Sequence, residues 1–555
     1  MRQLHLTQQL SSEANTDSQT AAPSLPPKPL WVRWSLPSIT DVLFLCILGT
    51  LLLRSEGTGL LSDADTGWHI RNGEQILATH VVPLTDPFSY TRAGQPWFAW
   101  EWLYDVLVAA VHHFAGLNGV SMLTVLLVCS TFALLFRFLL RRCGNILVSA
   151  GLTMLAAAGS QMHLLARPHV FSWLFTLLWA ELLIRFTEGD RKAIYWLPAL
   201  MLLWVNIHGG FILGVALTAL FAAGAFWRYL AARDRTDLRQ LWSLVAVGFA
   251  SLAVTLITPY GYQLHIHVYR YLSSNYLMNR IQEFASPNFH EAGIGYFECF
   301  LLLAIAGAAL GWRRLRVNDL LLLLFAAHAG LYAGRNIPLA GILISLALCR
   351  PLTEIFTSTT PTAERPRFVT RFSSSCNAIA AELAVLEAQL RGHFVVLLVV
   401  LAVCVAACNG GRLFGRQLMD EQFSPTHFPV AATQFLAAHH VQDRTFSTDS
   451  WSGYLIYRLY PGFKVLVDDR HDFYGDAFIQ QYVTSVAGAP GWQKLLDEQH
   501  ANRALLPPDF ALTSLLRQSP EWHVEYSDPV AVLFCRGDAC STPAAAVPPA
   551  PTPAH

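Results

Sequence analysis

The chain has 555 residues, which is more than a single globular domain usually contains. Hydrophobic residues make up 53% of it and charged residues only 14%, whereas about 25% charged residues is typical of soluble proteins. This composition excludes a soluble globular protein and predicts an integral membrane protein. The formal net charge is zero, and no basic stripe with interleaved aromatic residues occurs, so nucleic-acid binding is not expected.

The N-terminal segment 1–36 is expected to be a disordered cytoplasmic region, because it opens with a polar stretch that ends in a proline cluster. The first apolar run, 39–53, comes next. No small-residue cleavage site follows this run, so it is interpreted as a retained signal anchor and not as a cleaved signal peptide.

Eleven apolar runs have a length that spans or nearly spans a bilayer. They lie at 37–55, 119–140, 145–165, 169–187, 193–208, 210–231, 241–258, 295–312, 317–334, 336–350 and 391–409. The sequence therefore predicts a mainly α-helical, polytopic membrane protein with about eleven transmembrane helices.

Basic residues orient these spans, because loops rich in lysine and arginine stay in the cytoplasm. The clusters occur in alternate loops: Arg137/Arg141/Arg142, Arg191/Lys192, Arg228/Arg233/Arg235/Arg239 and Arg313/Arg314/Arg316. With these loops inside, a long first loop (56–118), the loop 259–294 and everything after about 410 lie outside. The run 102–116 is then expected to be an interfacial helix on the outer surface, because a span there would turn every later arginine cluster outward.

The remaining domain boundaries follow from shifts in composition. A transmembrane module is expected at 37–350, a cytoplasmic linker at 351–390, the last span at 391–409, and a small extracytoplasmic α/β domain at 410–540. The Pro/Ala-rich tail 541–555 is expected to be disordered. Cys535 and Cys540 could form a disulfide in an extracytoplasmic domain, or could be two free thiols.

The first outer loop is unusually rich in carboxylates and tryptophans for so apolar a chain. Its candidate site residues are Asp63, Asp65, His69, Glu74, Asp86 and Glu101. Asp65 has three interpretations: a helix N-cap, a ligand of a divalent cation together with Asp63 and His69, or a general base that takes a proton from an attacking hydroxyl. The tryptophans suit both the membrane interface and stacking against a sugar.

The outer ends of the helices carry further polar residues. They are Arg167 and His169 in Arg-Pro-His, Asn206 and His208 in Asn-Ile-His-Gly-Gly, Arg280 in the loop 259–294, and Arg335 in Arg-Asn. Any one of these could be a helix cap or a side chain that extends to the interface. Because an outer arginine opposes the orientation rule, a partner is expected for it, and the convergence of several clusters on one side predicts a binding site.

A single span, a long outer loop that opens with an acidic helix, and a Pro-Trp-aromatic segment before the next span resemble the GT-C class of integral-membrane glycosyltransferases. This chain has Gln95-Pro96-Trp97-Phe98 where that class often has His/Pro-Pro-Leu. The motifs D-T-G-W-H, T-D-P-F-S-Y, R-P-H, N-I-H-G-G, P-Y-G and R-N, over roughly 60–475, are similar to those of uncharacterised, glycosyltransferase-like bacterial membrane proteins.

The resemblance implies inverting hexosyl or pentosyl transfer from a polyprenyl-phosphate sugar to a lipid, glycan or protein acceptor, on the outer face of the bacterial inner membrane. It implies Asp65 as the base, with Asp63 as the second choice, and the phosphate near Arg335, with Arg167 and Arg280 as alternatives. A divalent metal ion is optional. The alternatives are a transporter or flippase of a lipid-linked or anionic solute, and a non-catalytic membrane assembly protein.

The C-terminal domain has the segments 449–454 and 464–470, which are predicted to form a helix, a turn and a buried strand that ends in acidic residues. Such a layout is common where α/β domains form sites at strand ends. It is faintly similar to the Trp-Trp-Asp region of oligosaccharyltransferases but lacks the paired tryptophans. A purely structural domain is therefore predicted.

Overall fold

A computed structural model describes residues 28–52, 59–311, 315–357 and 367–537. About 68% of the described residues are helical. The first helices are α1 (Leu30–Ser35), α2 (Ile39–Leu52), α3 (Asp65–Thr79), α4 (Trp102–Cys143), α5 (Ile146–Gly159), α6 (His169–Thr187), α7 (Leu197–Ile207), α8 (Ile212–Ala232), α9 (Arg235–Val254), α10 (Gln263–Ser273) and α11 (Asn275–Arg280). The later helices are α12 (Gly295–Gly311), α13 (Val317–Tyr332), α14 (Ile337–Thr357), α15 (Arg367–Gln389), α16 (His393–Cys408), α17 (Val430–Ala438), α18 (Asp449–Leu459), α19 (His471–Tyr474), α20 (Asp476–Val486), α21 (Gln493–Glu498) and α22 (Ala511–Gln518).

Each of the eleven predicted apolar runs coincides with a helix. Within the described ranges, six helical segments are long and apolar enough to cross a membrane: Leu30–Leu52, Trp102–Cys143, His169–Thr187, Gly209–Ala232, Arg235–Val254 and Gly334–Ile355. A seventh is added if α15 and α16, which meet at 71°, count as one span. The predicted eleven also include four shorter apolar helices of 10–17 residues, so helix length and composition alone support six or seven spans.

The long helix α4 is broken near its first third. Gly116 has φ 57° and ψ −153°, a conformation that residues with a side chain rarely adopt. The break separates 102–115 from 117–143, and it coincides with the boundary that the sequence predicts between a short interfacial helix and the next span.

Ion pairs join several helices at one end of the bundle. Glu188 accepts contacts from Arg142 at 3.2 Å, Arg316 at 3.2 Å and Arg350 at 2.6 Å. Arg142 also pairs with Asp319 at 2.5 Å. Since isolated charges are costly in an apolar bundle, this network keeps the ends of α4, α6, α13 and α14 together. Arg142 and Arg316 belong to the clusters whose loops are predicted to lie inside.

The C-terminal domain is built on a four-stranded sheet in the order β3 (Thr445–Ser447), β4 (Arg503–Leu506), β6 (Val532–Arg536) and β5 (Trp522–Ser527). The first pair is parallel and the other two are antiparallel. A separate hairpin joins β1 (Arg412–Leu413) to β2 (Arg416–Gln417). This agrees with the predicted small α/β domain. Cys535 lies on β6, whereas Cys540 and the tail 541–555 are outside the described residues, so their disulfide and disorder stay predictions.

The first loop is attached to this domain through main-chain hydrogen bonds. The Tyr90 N–H donates to the Val465 carbonyl at 3.0 Å, and the Val465 N–H donates to the Phe88 carbonyl at 3.1 Å. The segment 465–467 is buried as predicted, but it pairs with Ser89 of the loop and does not join the four-stranded sheet. Because a hydrocarbon core is about 30 Å thick, hydrogen-bonded segments must lie on the same side of it.

Helix α3 lies between α4 and α18 and contacts both through glycines. A Cβ atom on Gly67 would lie 2.3 Å from the Gly453 carbonyl oxygen, and one on Gly453 would lie 2.2 Å from the Ala64 carbonyl oxygen. On the side of α4, a Cβ atom on Gly73 would lie 1.9 Å from the Asp105 carbonyl oxygen. Only residues without a side chain permit so close an approach of the backbones.

Substitution of Gly453 by alanine should therefore push α3 and α18 apart. Overpacking of this kind costs about 1–3 kcal/mol, and the clash with backbone atoms leaves little room for relaxation. We expect Gly453→Ala and Gly67→Ala to lower the unfolding temperature of the purified protein in detergent. Gly151→Ala is the matched control, because its Cβ would have no neighbour within 4 Å. Unchanged unfolding temperatures in the first two variants would contradict the close contact.

Candidate functional site

A cavity of about 580 Å³ opens between the first loop, the helix ends and the C-terminal domain. Its polar wall includes Asp65, His69, Glu101, Arg167, His169, His208, Glu283, Arg335 and Asp469. Its apolar wall includes Leu213 and Ala216 of α8, Val268 and Leu272 of α10, Phe325 and Ala329 of α13, and Leu339 and Leu343 of α14. The cavity thus offers a polar region and an adjoining apolar region between helices.

Asp65 is the first residue of α3 and is almost fully buried at 4% exposure. One carboxylate oxygen of Asp65 accepts the indole N–H of Trp68 at 3.0 Å. The Asp63 carboxylate accepts the Asp65 backbone N–H at 2.9 Å. The N-cap position is occupied by Ala64, so Asp65 is not the N-cap that the sequence suggests, and its side chain lines the cavity.

Arg167 joins three carboxylates. Its Nη2 lies 2.6 Å from Asp65, and its Nη1 lies 2.7 Å from Asp63 and 3.3 Å from Glu283. Burial raises the pKa of Asp65, whereas the Arg167 guanidinium acts in the opposite direction. Because three carboxylates already compensate its charge, Arg167 orients the acidic residues and is poorly placed to neutralise a further anion.

Arg335 differs from Arg167 in its surroundings. It lies in a short turn between α13 and α14, and its guanidinium carbon is 4.5 Å from the centre of the Phe284 ring. Within the described parts of the chain it makes no ion pair. Its side chain lines the cavity where the polar and apolar walls meet, so its charge is free for an anionic ligand.

Glu101 lies between two histidines. Its Oε2 is 3.9 Å from His69 Nε2, and its Oε1 is 3.7 Å from His208 Nε2. His69 Nδ1 contacts the buried Asp105 carboxylate at 2.5 Å, and the Asn72 amide donates to the other oxygen of that carboxylate at 2.5 Å. The Asp105 carboxylate therefore fixes the ring of His69 from behind.

The tautomer of His208 follows from its own neighbours. The Gly210 N–H donates to His208 Nδ1 at 3.1 Å, and the Ser172 hydroxyl lies 2.7 Å from the same nitrogen. The Ser172 hydroxyl accepts the Trp204 indole N–H at 2.7 Å and can therefore donate to His208. With Nδ1 as an acceptor, the proton of neutral His208 is on Nε2, which faces Glu101.

His169 also lines the cavity, at the beginning of α6. Its Nε2 lies 2.8 Å from the His163 carbonyl oxygen, which accepts a hydrogen bond from it. That contact holds the ring against the segment that carries Arg167.

Four predicted substrate-binding residues do not line this cavity. Glu74 pairs with Arg71 and His112 on another side of α3. Asp86 accepts a hydrogen bond from Arg470 at 2.8 Å, and the Asn206 amide oxygen accepts one from Trp102 at 2.8 Å. Arg280 is exposed at the end of α11. The first three have structural partners that account for them.

The C-terminal domain supplies Asp469, Arg470 and Asp472 to the cavity wall. Arg470 pairs with Asp468 at 2.6 Å, and burial together with the Asp65 carboxylate raises the pKa of Asp469 well above its usual range. The domain is thus more than the structural support that its sequence predicts. The sequence feature that could have indicated this position is the run Asp468-Asp469-Arg470, which directly follows a buried apolar segment. Sequence reasoning also missed Asp105, which could have been noticed as a lone carboxylate in an apolar helix.

Carboxylates from both domains approach one another closely enough to hold a cation. One oxygen from each of Asp63, Asp65 and Asp469 lies within 4.8 Å of the others. Asp469 also approaches Asp449 and His471 in the same way. Oxygen ligands suit hard divalent ions such as Mg²⁺ and Ca²⁺. The structure thus brings Asp469 beside the predicted pair of aspartates, whereas the Nδ1 of His69 is committed to Asp105.

Comparison of the sequence with known protein families and with characterised proteins finds no match. Comparison of the structure finds the oligosaccharyltransferase of Archaeoglobus fulgidus in its apo form, with a TM-score of 0.53 and 11% identity over 90% of this chain and 74% of that one. The same archaeal protein, AglB, in complex with an inhibitory peptide and a dolichol-phosphate, has a TM-score of 0.56 and 9% identity over 91% and 74% of the two chains.

ArnT from Cupriavidus metallidurans, bound to undecaprenyl phosphate, has a TM-score of 0.49 and 13% identity over 90% of this chain and 99% of that one. At such low identities these likenesses concern the fold alone. The two comparisons with TM-scores above 0.5 show that the chain shares the fold of the archaeal oligosaccharyltransferase, in agreement with the fold expected from the GT-C resemblance.

Proposed function

We propose that the protein is a membrane glycosyltransferase that moves a sugar from a polyprenyl-phosphate donor to a hydroxyl of a lipid, glycan or protein acceptor. One observation carries this proposal. The buried carboxylate of Asp65, the unpaired guanidinium of Arg335 and an apolar wall between helices border a single cavity. These are the elements that a lipid-linked sugar phosphate and an attacking hydroxyl require.

The two regions of the cavity determine how the polyprenyl-phosphate sugar binds. Its polyprenyl chain lies against the apolar wall of α8, α13 and α14, and its phosphate is bound by Arg335 at the boundary. Of the three arginines considered for this role, Arg167 is occupied by three carboxylates and Arg280 is exposed outside the cavity. The complex of AglB with a dolichol-phosphate supports a carrier of this chemistry.

The transfer is a single displacement with inversion at the anomeric carbon. The Asp65 carboxylate takes the proton of the acceptor hydroxyl while the acceptor oxygen bonds to that carbon. The bond from the anomeric carbon to the phosphate oxygen breaks, and its electron pair leaves with the polyprenyl phosphate. Arg335 stabilises the charge that grows on this phosphate.

The surroundings of Asp65 raise its pKa and fix its orientation, and both suit a general base. Burial raises the pKa of Asp65 and makes its carboxylate a stronger base, while Arg167 and Trp68 hold its orientation. A divalent cation, if bound, would be held by Asp63, Asp65 and Asp469 and would supply positive charge beside the acceptor.

The proposed topology has eleven spans in the bacterial inner membrane, with the site and the C-terminal domain on the outer face. The hydrogen bonds between Tyr90 and Val465 support it, because they require an even number of spans between the first loop and the C-terminal domain. Ten spans separate them if each short apolar helix crosses the membrane. The arginine-rich network at the other end of the bundle then lies on the cytoplasmic side.

The role of Asp65 is tested with Asp65→Asn, which keeps the size of the side chain and removes the base. Loss of a general base typically lowers a rate by about 10²- to 10⁴-fold. We therefore expect a strain that carries only this variant to lose the same glycolipid or glycan as a deletion strain, as measured by mass spectrometry.

Asp509→Asn serves as the control for Asp65→Asn, because Asp509 is an exposed aspartate away from the cavity. Membrane levels of both variants are compared by immunoblot. A normal glycan profile with Asp65→Asn would place the base elsewhere.

The phosphate site is tested by the binding of undecaprenyl phosphate to the purified protein. Arg335→Gln removes a charged donor to the phosphate, and losing such a contact costs about 1.5–3 kcal/mol, or roughly a 10- to 100-fold increase in Kd. Arg280→Gln is the matched control and should bind as tightly as the wild type. Equal losses in the two variants, or none in Arg335→Gln, would show that Arg335 does not bind the phosphate.

A further inference from the structure

Among the residues that the structure describes, none donates a hydrogen bond to the Glu101 carboxyl group. Its nearest polar neighbours, His69 Nε2 and His208 Nε2, are 3.9 Å and 3.7 Å away, beyond the 2.7–3.2 Å that is usual for a hydrogen bond. Its side chain is only 12% exposed, and the surface that remains lines the cavity. A buried carboxylate without a donor is strongly disfavoured, so this group is adapted either to a proton or to a ligand.

Burial and several charged groups shift the pKa of Glu101. Burial raises its pKa to about 8, and the carboxylate of Asp105 on α4 adds to this effect. Arg167 and Arg335 lower the pKa, and Asp65 on α3 raises it. At neutral pH the protonated form therefore predominates, since the pH lies below the pKa.

Two histidine rings lie on either side of Glu101. His69 Nδ1 is hydrogen-bonded to the Asp105 carboxyl group, and its Nε2 is the ring nitrogen that faces Glu101. His208 presents an Nε2–H, because its Nδ1 accepts from Gly210. Neither ring nitrogen is close enough to Glu101 to form a full hydrogen bond with it, so a protonated Glu101 keeps its donor for a ligand.

We propose that Glu101 acts as an uncharged hydrogen-bond donor to the phosphate of the lipid-linked substrate, beside Arg335 and the Nε2–H of His208. This inference rests on the proposed function, because it assigns a further residue to the phosphate site of the same cavity. An ionised Glu101 would repel the phosphate, whereas the neutral carboxyl adds a donor to it. His69 and Asp105 are positioning residues in this arrangement, whereas His208 contacts the phosphate.

The experiment measures the binding of undecaprenyl phosphate to the full chain in detergent as a function of pH. Four tryptophans of the cavity wall, Trp68, Trp97, Trp100 and Trp173, make their fluorescence a suitable signal. Between about pH 7 and pH 9.5 the phosphate keeps its charge, because its second pKa is near 6. Changes in affinity over this range therefore report on the protein.

The affinity for phosphate should fall as the pH rises, because only the protonated carboxyl group of Glu101 can donate a hydrogen bond. Wild-type affinity should be high at about pH 7 and should fall about tenfold or more as the pH rises through about 8, because the donor is lost and a charge appears. Glu101→Gln keeps an N–H donor at every pH. This variant should bind as the wild type does at about pH 7 and should retain that affinity at about pH 9.5.

Two further variants complete the design. Glu101→Ala has no donor and should bind weakly at both pH values, which tests the idea even if Glu101→Gln folds poorly. Glu74→Gln is the matched control, because Glu74 lies on α3 outside the cavity and should leave the pH dependence unchanged.

Equal pH dependence in the wild type and Glu101→Gln would overturn the inference and leave the proposed function intact. If neither protein bound undecaprenyl phosphate and Arg335→Gln had no effect, the proposed function would fail together with the inference.

Discussion

The close contact between Gly67 and Gly453 is the constraint on which the site depends. It brings the backbone of α3 against α18 of the C-terminal domain, while Gly73 brings the opposite side of α3 against α4. Asp65 and His69 therefore project from a helix whose position is fixed on two sides. The approach also places Asp469 beside Asp65, so one cavity receives carboxylates from segments far apart in the chain. Without the glycines, larger side chains would separate the walls of the cavity.

Arg167 and Arg335 line the same cavity, but their neighbours leave different charges available to a ligand. Arg167 is held by Asp63, Asp65 and Glu283, so its contribution is to orient and partly neutralise the acidic cluster. Arg335 rests on the ring of Phe284, which screens it without competing for its donors. Since an aromatic face does not neutralise a cation, Arg335 keeps both its charge and its hydrogen-bonding capacity. The cavity thereby separates an acidic region around Asp65 from a cationic region around Arg335, as the proposed transfer requires.

Much of the architecture could be predicted from hydrophobic runs, because each run of sufficient length formed a helix. The sequence also indicated that Asp65, Arg167, His208 and Arg335 converge, since charged groups at helix ends on one side of a membrane must find partners there. It could not separate these residues from Glu74 or Asp86, because residue type does not reveal which face of a helix or loop turns toward a cavity. The sequence could not predict that Asp469 lies in the cavity, because its position depends on contact between the first loop and the C-terminal domain.

That contact has a consequence for biosynthesis. The carbonyl of Tyr457 accepts hydrogen bonds from Arg71, a residue 386 positions earlier that leaves the ribosome long before it. The first loop must therefore wait until the C-terminal domain has been synthesised and has folded against it. During this interval its carboxylates remain in water and the cavity lacks one wall. The cavity is then complete only after the C-terminal domain has folded against the first loop, so an unfinished chain has no enclosed site.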